Sequence, residues 1–163
     1  MRITTLRNAT LMLEWTAGAG SVALLVDPML AGRGALPRLR LGGGSGSRNP
    51  LVDLPRGADE RLARTTHALI THCRRGHFDH LDGAGRRFLR ERATPVFCTP
   101  DDAAWLSQRG LGTAPLAAKG RQAFLGGHIT PIPCVHGRGW IGQLMAHGVG
   151  WFIELPGEPS LYI

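Results

Sequence analysis

The sequence predicts an α/β fold, and three observations carry that reading. Short strand-like apolar segments open and close the chain, while segments bounded by helix caps lie between them. One short apolar run, His67-Ala68-Leu69-Ile70, ends abruptly in a loop dense in histidine and aspartate. At 163 residues the chain has the length of about one domain and can bury a proper core.

The elements follow in chain order. Ile3–Leu6 and Thr10–Trp15 are strand candidates around a turn at Arg7-Asn8. Ala17-Gly18-Ala19-Gly20 then reads as a hairpin connection into a third strand, Ser21–Val26. That strand stops at Asp27-Pro28, because proline has no N–H for further ladder pairing. Residues 31–59 show little periodicity. The glycine-rich Leu41–Ser47 lacks the G-K-[ST] ending of a phosphate-binding loop and reads as a surface loop. Asp82 is a good N-cap for a helix over Gly83–Arg92, with Phe88 and Leu89 turned inward and Pro95 beyond its end. Pro95–Cys98 is a short strand. Thr99-Pro100-Asp101-Asp102 opens a second helix with a cap, a first-turn proline and first-turn acids, and Gly110 ends it. Strand-like segments return at Gln122–Leu125, His128–Pro131, Gln143–Ala146, Trp151–Leu155 and Ser160–Ile163.

Composition narrows the function classes. A hydrophobic fraction of 43% and a charged fraction of 19% are those of an ordinary globular protein. No apolar run approaches the roughly 20 residues of a membrane span, so no membrane span is expected. The first residues lack the apolar core of a signal peptide, and three cysteines (Cys73, Cys98, Cys134) form no paired framework. Both features point to the cytoplasm. The net charge of +7 invites a nucleic-acid reading. However, all but one of the 19 basic residues are arginine, Lys119 being the exception, a skew that GC-rich coding explains. The basic residues are scattered and no aromatics interleave with them, so nucleic acid is not an expected partner.

The chemistry is concentrated in Thr71-His72-Cys73-Arg74-Arg75-Gly76-His77-Phe78-Asp79-His80-Leu81-Asp82, which holds three histidines and two aspartates in one loop. Imidazole and carboxylate are the donors of zinc sites that activate water. The loop resembles the T-H-x-H-x-D-H signature of the metallo-β-lactamase superfamily. Two alignments are open. Without a gap, Arg74 falls where a second histidine belongs and Gly76 where the aspartate belongs. With three extra residues after His72, the run from His77 to Asp82 matches H-x-D-H-L-D at each fixed position. A guanidinium held about 4 Å from Zn²⁺ at an effective dielectric near 20 would repel it by about 8 kcal/mol, a ceiling because the side chain can swing away. The gapped alignment is therefore preferred.

Other segments extend the resemblance in order. Asn8-Ala9-Thr10 and Asp27-Pro28 are similar to the family's opening hairpin and its D-P strand end, although Arg7 stands where glycine is usual. Pro133-Cys134-Val135-His136-Gly137 resembles the later strand end that supplies a further histidine. The resemblance implies a fold that is the N-terminal part of an αβ/βα sandwich, as one incomplete domain over residues 1–163. It implies a metal set of His72, His77 and His136 for one ion, with Asp79 and His80 at the other. Zinc is the expected cofactor, with manganese or iron as alternatives. Asp79 would also orient the attacking water, as the catalytic carboxylate. Asp27 and Asp82 would stand behind the ligands, though Asp27 reads equally as a turn cap and Asp82 reads first as a helix cap. Arg48, in a Ser47-Arg48-Asn49-Pro50 segment similar to one at the family's cleft, is a candidate anion contact. His67, His128 and His147 match no ligand position.

The family's later bridging aspartate and last histidine have no counterpart before Ile163. Two function classes therefore stay open. One is a metal-dependent hydrolase acting on a small-molecule lactone, ester or phosphodiester, in the branch resembling L-ascorbate 6-phosphate lactonase and N-acylphosphatidylethanolamine phospholipase D. The other is a non-catalytic remnant that keeps the fold as a binding or scaffold module. Self-association through the C-terminal strand edge is expected, since open edges recruit other chains. The ligand set carries its own test, equilibrium dialysis with zinc. His77→Ala and Asp79→Asn should each weaken binding, and Arg74→His should change it little. A clear gain from Arg74→His would restore the ungapped alignment.

Overall fold

The computed structural model describes residues 1–18, 20–36, 48–74, 79–134 and 148–163. Strands β1 (Arg2–Arg7), β2 (Thr10–Ala17) and β3 (Gly20–Val26) form an antiparallel meander. The chain then passes through α1 (Ala58–Ala63) and adds three parallel strands: β4 (His67–Leu69), β5 (Val96–Cys98) and β6 (Thr113–Pro115). Helix α2 (Gly83–Glu91) connects β4 to β5, and α3 (Pro100–Ser107) connects β5 to β6. The first sheet thus runs β1-β2-β3-β4-β5-β6. A second, antiparallel sheet runs β10-β9-β8-β7, from β7 (Gln122–Phe124), β8 (Gly127–Cys134), β9 (Gly148–Glu154) and β10 (Leu161–Tyr162).

Side-chain alternation explains the layers. On β2 and β3, Leu13, Trp15, Val22, Leu24 and Val26 face one way and pack against Phe124, Ile129, Trp151, Ile153 and Leu155 of the second sheet. On the opposite face, Met12, Ala23 and Leu25 pack against Ala58 and Leu62 of α1. Ala68, Ile70 and Val96 meet Leu89 and Leu106, on α2 and α3. The first sheet is therefore buried on both faces, by helices and by a second sheet, which is why its central strands are almost uninterrupted apolar runs. Glu14 draws α1 onto β2 through ion pairs with Arg61 and Arg64.

Most expected elements are present with boundaries shifted by one to three residues. The caps are formed as expected: Asp82 accepts from the Gly85 amide at 2.7 Å, and Thr99 from the Asp102 amide at 3.2 Å. Two elements carry little signal in the sequence. Helix α1 is six residues long and begins at Gly57, whose φ of 77° supplies no side-chain cap. Strand β6 is three residues between Gly112 and Leu116, closed by a proline, and is defined by its pairing with β5. The Gln143–Ala146 strand lies outside the described residues, as does Ala19 of the first hairpin.

One close approach sets the position of α2. A Cβ added at Gly85 would overlap the carbonyl oxygen of Pro28, so the helix meets the turn after β3 with no side chain between them. Gly85→Ala should lower stability by about 1–3 kcal/mol through overpacking, despite alanine's better helix propensity. Chemical denaturation checks this, and an unchanged or raised midpoint would refute the contact.

Candidate metal centre

Because β3 and β4 are parallel neighbours with Val26 opposite Leu69, their C-terminal ends lie side by side. Sites in such sheets form at these ends. The first residue past β3 is Asp27, 1% exposed, whose amide continues the ladder by donating to Leu69 O at 3.0 Å. Its φ of 44° is a left-handed conformation, uncommon for residues with a side chain though tolerated best by aspartate and asparagine. It is held there in part by its carbonyl, which accepts from Thr10 Oγ1 at 2.6 Å and from the Met29 amide at 2.9 Å.

The Asp27 side chain then organises the loop after β4. Oδ1 accepts the Thr71 amide at 2.9 Å, and Oδ2 accepts the Thr71 hydroxyl at 2.6 Å. Oδ2 is also 2.8 Å from His80 Nδ1, while Thr71 Oγ1 lies 3.0 Å from His72 Nδ1 and 3.2 Å from His80 Nδ1. A carboxylate only accepts, and a hydroxyl has one proton to give. Thr71 spends that proton on Asp27, so both histidines donate from Nδ1. This puts the lone pair of each neutral ring on Nε2, the form in which imidazole ligates metal with its other nitrogen held by a carboxylate or hydroxyl. The two rings are adjacent, with centroids 3.9 Å apart and planes inclined by 42°.

Burial works against a charge on His80. The hydrogen bond to Asp27, the Asp27 charge and then the Asp79 charge outweigh it, and the His80 pKa is raised. Asp27, Thr71, His72 and His80 line one side of a cavity of about 450 Å³. Its other walls include Ala9, Leu11, Val149 and Ile163, with Cys134 and Tyr162 at the far side. Tyr162 Oη lies 3.4 Å from Cys134 Sγ, and its ring is seated over Gly150, where any side chain would collide with it. The second sheet is fastened to this corner by Val149, whose amide reaches Thr71 O at 3.4 Å, and by Trp151, whose Nε1 donates to Ile70 O at 3.3 Å.

The predicted site residues divide accordingly. Asp27, His72 and His80 come together, and Asp79 is half-buried beside them in sequence. His77 and His136 lie outside the described residues. Among the described residues no group of three or more histidine, cysteine, aspartate or glutamate side chains forms a metal cage, so the visible donor set is the His72–His80 pair. That pair fits a divalent cation in chemistry: borderline nitrogen donors, correct tautomers and an adjoining cavity. Asp82 lies deeper, capping α2 and accepting the Ala31 amide at 2.7 Å. Arg48 is exposed and donates to Leu36 O at 3.2 Å, away from the cavity lining. Arg74 donates to Asp101 O at 3.0 Å and lines a different cavity, beside α3. Cys73 is buried and its thiol pKa is pushed far up by desolvation, with Asp102, Cys98 and Asp27 adding to the effect. In the metal-free chain the thiol form is therefore favoured.

Thr71, Cys134 and Tyr162 carry no site role in the sequence reading, and Arg7, read there as a turn residue and a departure from a glycine, instead ends β1. Thr71 could have been found as the threonine of the signature itself. Nothing local marks Tyr162, which reaches the cavity only through sheet pairing.

Comparisons with known proteins agree with this fold. No family model matches the chain. It is 27% identical over 164 residues to the UPF0173 protein YddR of Bacillus subtilis (strain 168), covering 100% of this chain and 61% of that protein. It is 34% identical over 154 residues to a UPF0173 metal-dependent hydrolase of Cereibacter sphaeroides (strain ATCC 17029), covering 85% and 56%. Among solved structures, a possible metal-dependent hydrolase from Veillonella parvula superposes with TM-score 0.81 at 24% identity, over 98% of this chain and 60% of that one. An isothiocyanate hydrolase from Delia radicum gut bacteria superposes with TM-score 0.79 at 27% identity, over 99% and 61%. The metallo-β-lactamase fold protein YhfI of Bacillus subtilis superposes with TM-score 0.54 at 10% identity, over 96% and 53%. The chain thus spans about 60% of the length of the relatives it matches first.

The Asp27–His80 pair has a pH signature in the metal-free chain. Its folded pKa is raised, so the stabilisation is complete below the unfolded value of 6.5 and is lost as pH rises through the folded value. The stability gap between the parent and Asp27→Asn should therefore be wider at pH 6 than at pH 9, measured by urea titration at about those two values. The same substitution should weaken zinc binding by about 10–100-fold. A gap independent of pH would show that the pair carries no charge.

Proposed function

We propose that this chain, which has the metallo-β-lactamase fold and relatives among the UPF0173 metal-dependent hydrolases, is the histidine-bearing part of a metal-dependent hydrolase. The single observation that carries the reading is the Asp27–Thr71 network. It orients His72 and His80 together, with Nδ1 donating, on the wall of a cavity. Side chains serving packing alone have no need of two imidazoles locked in the ligating tautomer. His72 would hold one ion together with His77 and His136, and His80 with Asp79 would hold a second. A bound zinc, manganese or iron ion supplies Lewis acidity, which makes water nucleophilic at neutral pH and polarises the atom under attack.

The chain's own residues do the rest. Asp27 and Thr71 keep both imidazoles in register. Ala9, Leu11, Val149 and Ile163 exclude bulk water from one side of the substrate, and Tyr162 Oη can donate a hydrogen bond to a polar atom of it. The cavity favours a compact, uncharged electrophile. No described arginine or lysine lines it, and Arg48, the candidate anion contact, and Arg74 are turned to carbonyl oxygens elsewhere. A lactone or ester suits such walls better than a phosphodiester, and the isothiocyanate named for the Delia radicum relative is also a neutral electrophile.

Metal analysis and a substrate panel test the proposal together. The purified protein should carry about one to two metal ions per chain, the range of catalytic zinc sites. It should cleave a lactone, an aryl ester or an isothiocyanate faster than a phosphodiester. His72→Ala and His80→Ala should each lower metal content and cut turnover by at least about 100-fold. Turnover that survives chelation and both substitutions would overturn the reading.

A further inference from the structure

We infer that Arg7 is a positioning residue for the histidine site, acting through the turn that presents Asp27. The inference rests on the hydrolase reading only for its consequence on metal affinity.

Arg7 is 3% exposed, an unusual place for a guanidinium. Burial lowers its pKa, opposed by the charges of Asp82 and Asp53. Its fork is directed at the backbone: Nη2 donates to Met29 O at 2.6 Å and to Ala31 O at 2.8 Å, and Nη1 donates to Val52 O at 3.0 Å. Two of these carbonyls belong to the segment that leaves Asp27. The same segment is held from the other side by α2. Asp82 Oδ2 accepts the Ala31 amide, Asp82 Oδ1 accepts the Gly85 amide, and Gly85 gives the Pro28 carbonyl its seat.

The turn over residues 28–31 is thus clamped between a cation on β1 and an anion at the start of α2. Asp27 sits at its head in a left-handed conformation that the clamp sustains. In that conformation the carboxylate meets the Thr71 amide, the Thr71 hydroxyl and His80 at once. Removing the Arg7 fork releases two carbonyls on the turn and leaves Asp82 without its facing cation. The effect should be felt at Thr71 and His80 before the rest of the sheet.

Amide hydrogen exchange by NMR on the metal-free full chain tests this, comparing the parent, Arg7→Met and Arg7→Lys. Methionine keeps length and bulk but has no donor, and lysine restores charge and donors. In Arg7→Met the Thr71 amide should exchange at least about tenfold faster, while Leu13 and Leu24 in the β2–β3 ladder stay within about twofold of the parent. Arg7→Lys should recover most of the Thr71 protection. A general structural role would instead speed all three amides together, and that result, or an unchanged Thr71, would overturn the inference. Should Arg7→Met not fold, Arg7→Gln serves in its place, with two N–H donors at most for three carbonyls and no charge. Zinc dialysis on the same proteins supplies the second arm. About tenfold weaker binding by Arg7→Met supports the inference, and equal affinity overturns its link to His80. A parent that binds no zinc would defeat the hydrolase reading, while Thr71 exchange would still decide the role of Arg7.

Discussion

The carboxylate of Asp27 is the interaction on which the rest of the site depends. It takes an amide, a hydroxyl and an imidazole from the next strand's loop, so two strand ends that the ladder merely places side by side become one rigid unit. The arrangement is buried, and each donor it satisfies would otherwise carry a desolvation cost of about 1–3 kcal/mol. It also settles a chemical question that burial alone leaves open, namely which nitrogen of each histidine bears the proton. With Nδ1 donating on both rings, the lone pairs lie where a metal can be met.

The backbone around Asp27 is correspondingly over-determined. Thr10, Met29, Arg7 and Asp82 all bind the turn that carries it, and Gly85 removes the side chain that would have pushed it away. Buried charges such as Arg7 and Asp82 contribute little net stability compared with apolar groups of the same size. Their value here is geometric, because a positive φ at a non-glycine residue is uncommon and surrounding bonds help to hold it.

The second sheet gives the site its walls. Trp151 and Val149 bridge to the carbonyls of Ile70 and Thr71, so packing between the sheets and placement of the histidine loop are one event. Gly150 then leaves space for the Tyr162 ring, bringing a phenol from β10 to the cavity beside Cys134. The described walls are mostly small or apolar, and no described arginine or lysine is among them. Such residues as Arg48 and Arg74 serve backbone carbonyls instead.

Much of this was legible in the sequence, for local reasons. Caps at Asp82 and Thr99, the proline after Asp27 and the alternation of β2 and β3 are short-range signals. They placed most strands and two helices within one to three residues. The histidine-rich loop announced imidazole chemistry, because few structural roles call for three histidines and two aspartates within twelve residues. Other features were decided only in three dimensions. Helix α1 has no capping side chain, and β6 is three residues long, so each exists by virtue of what it packs on or pairs with. Arg7 read as a departure from a pattern, because its three carbonyl partners lie 22, 24 and 45 residues away. Asp27 could be read equally as a turn residue or a partner of the metal loop. The sequence determined which residues offer metal-type donors, since donor type and local spacing are written in the chain. Tertiary structure decided which of them meet, since parallel pairing of β3 with β4 brings together side chains that are 44 and 53 residues apart.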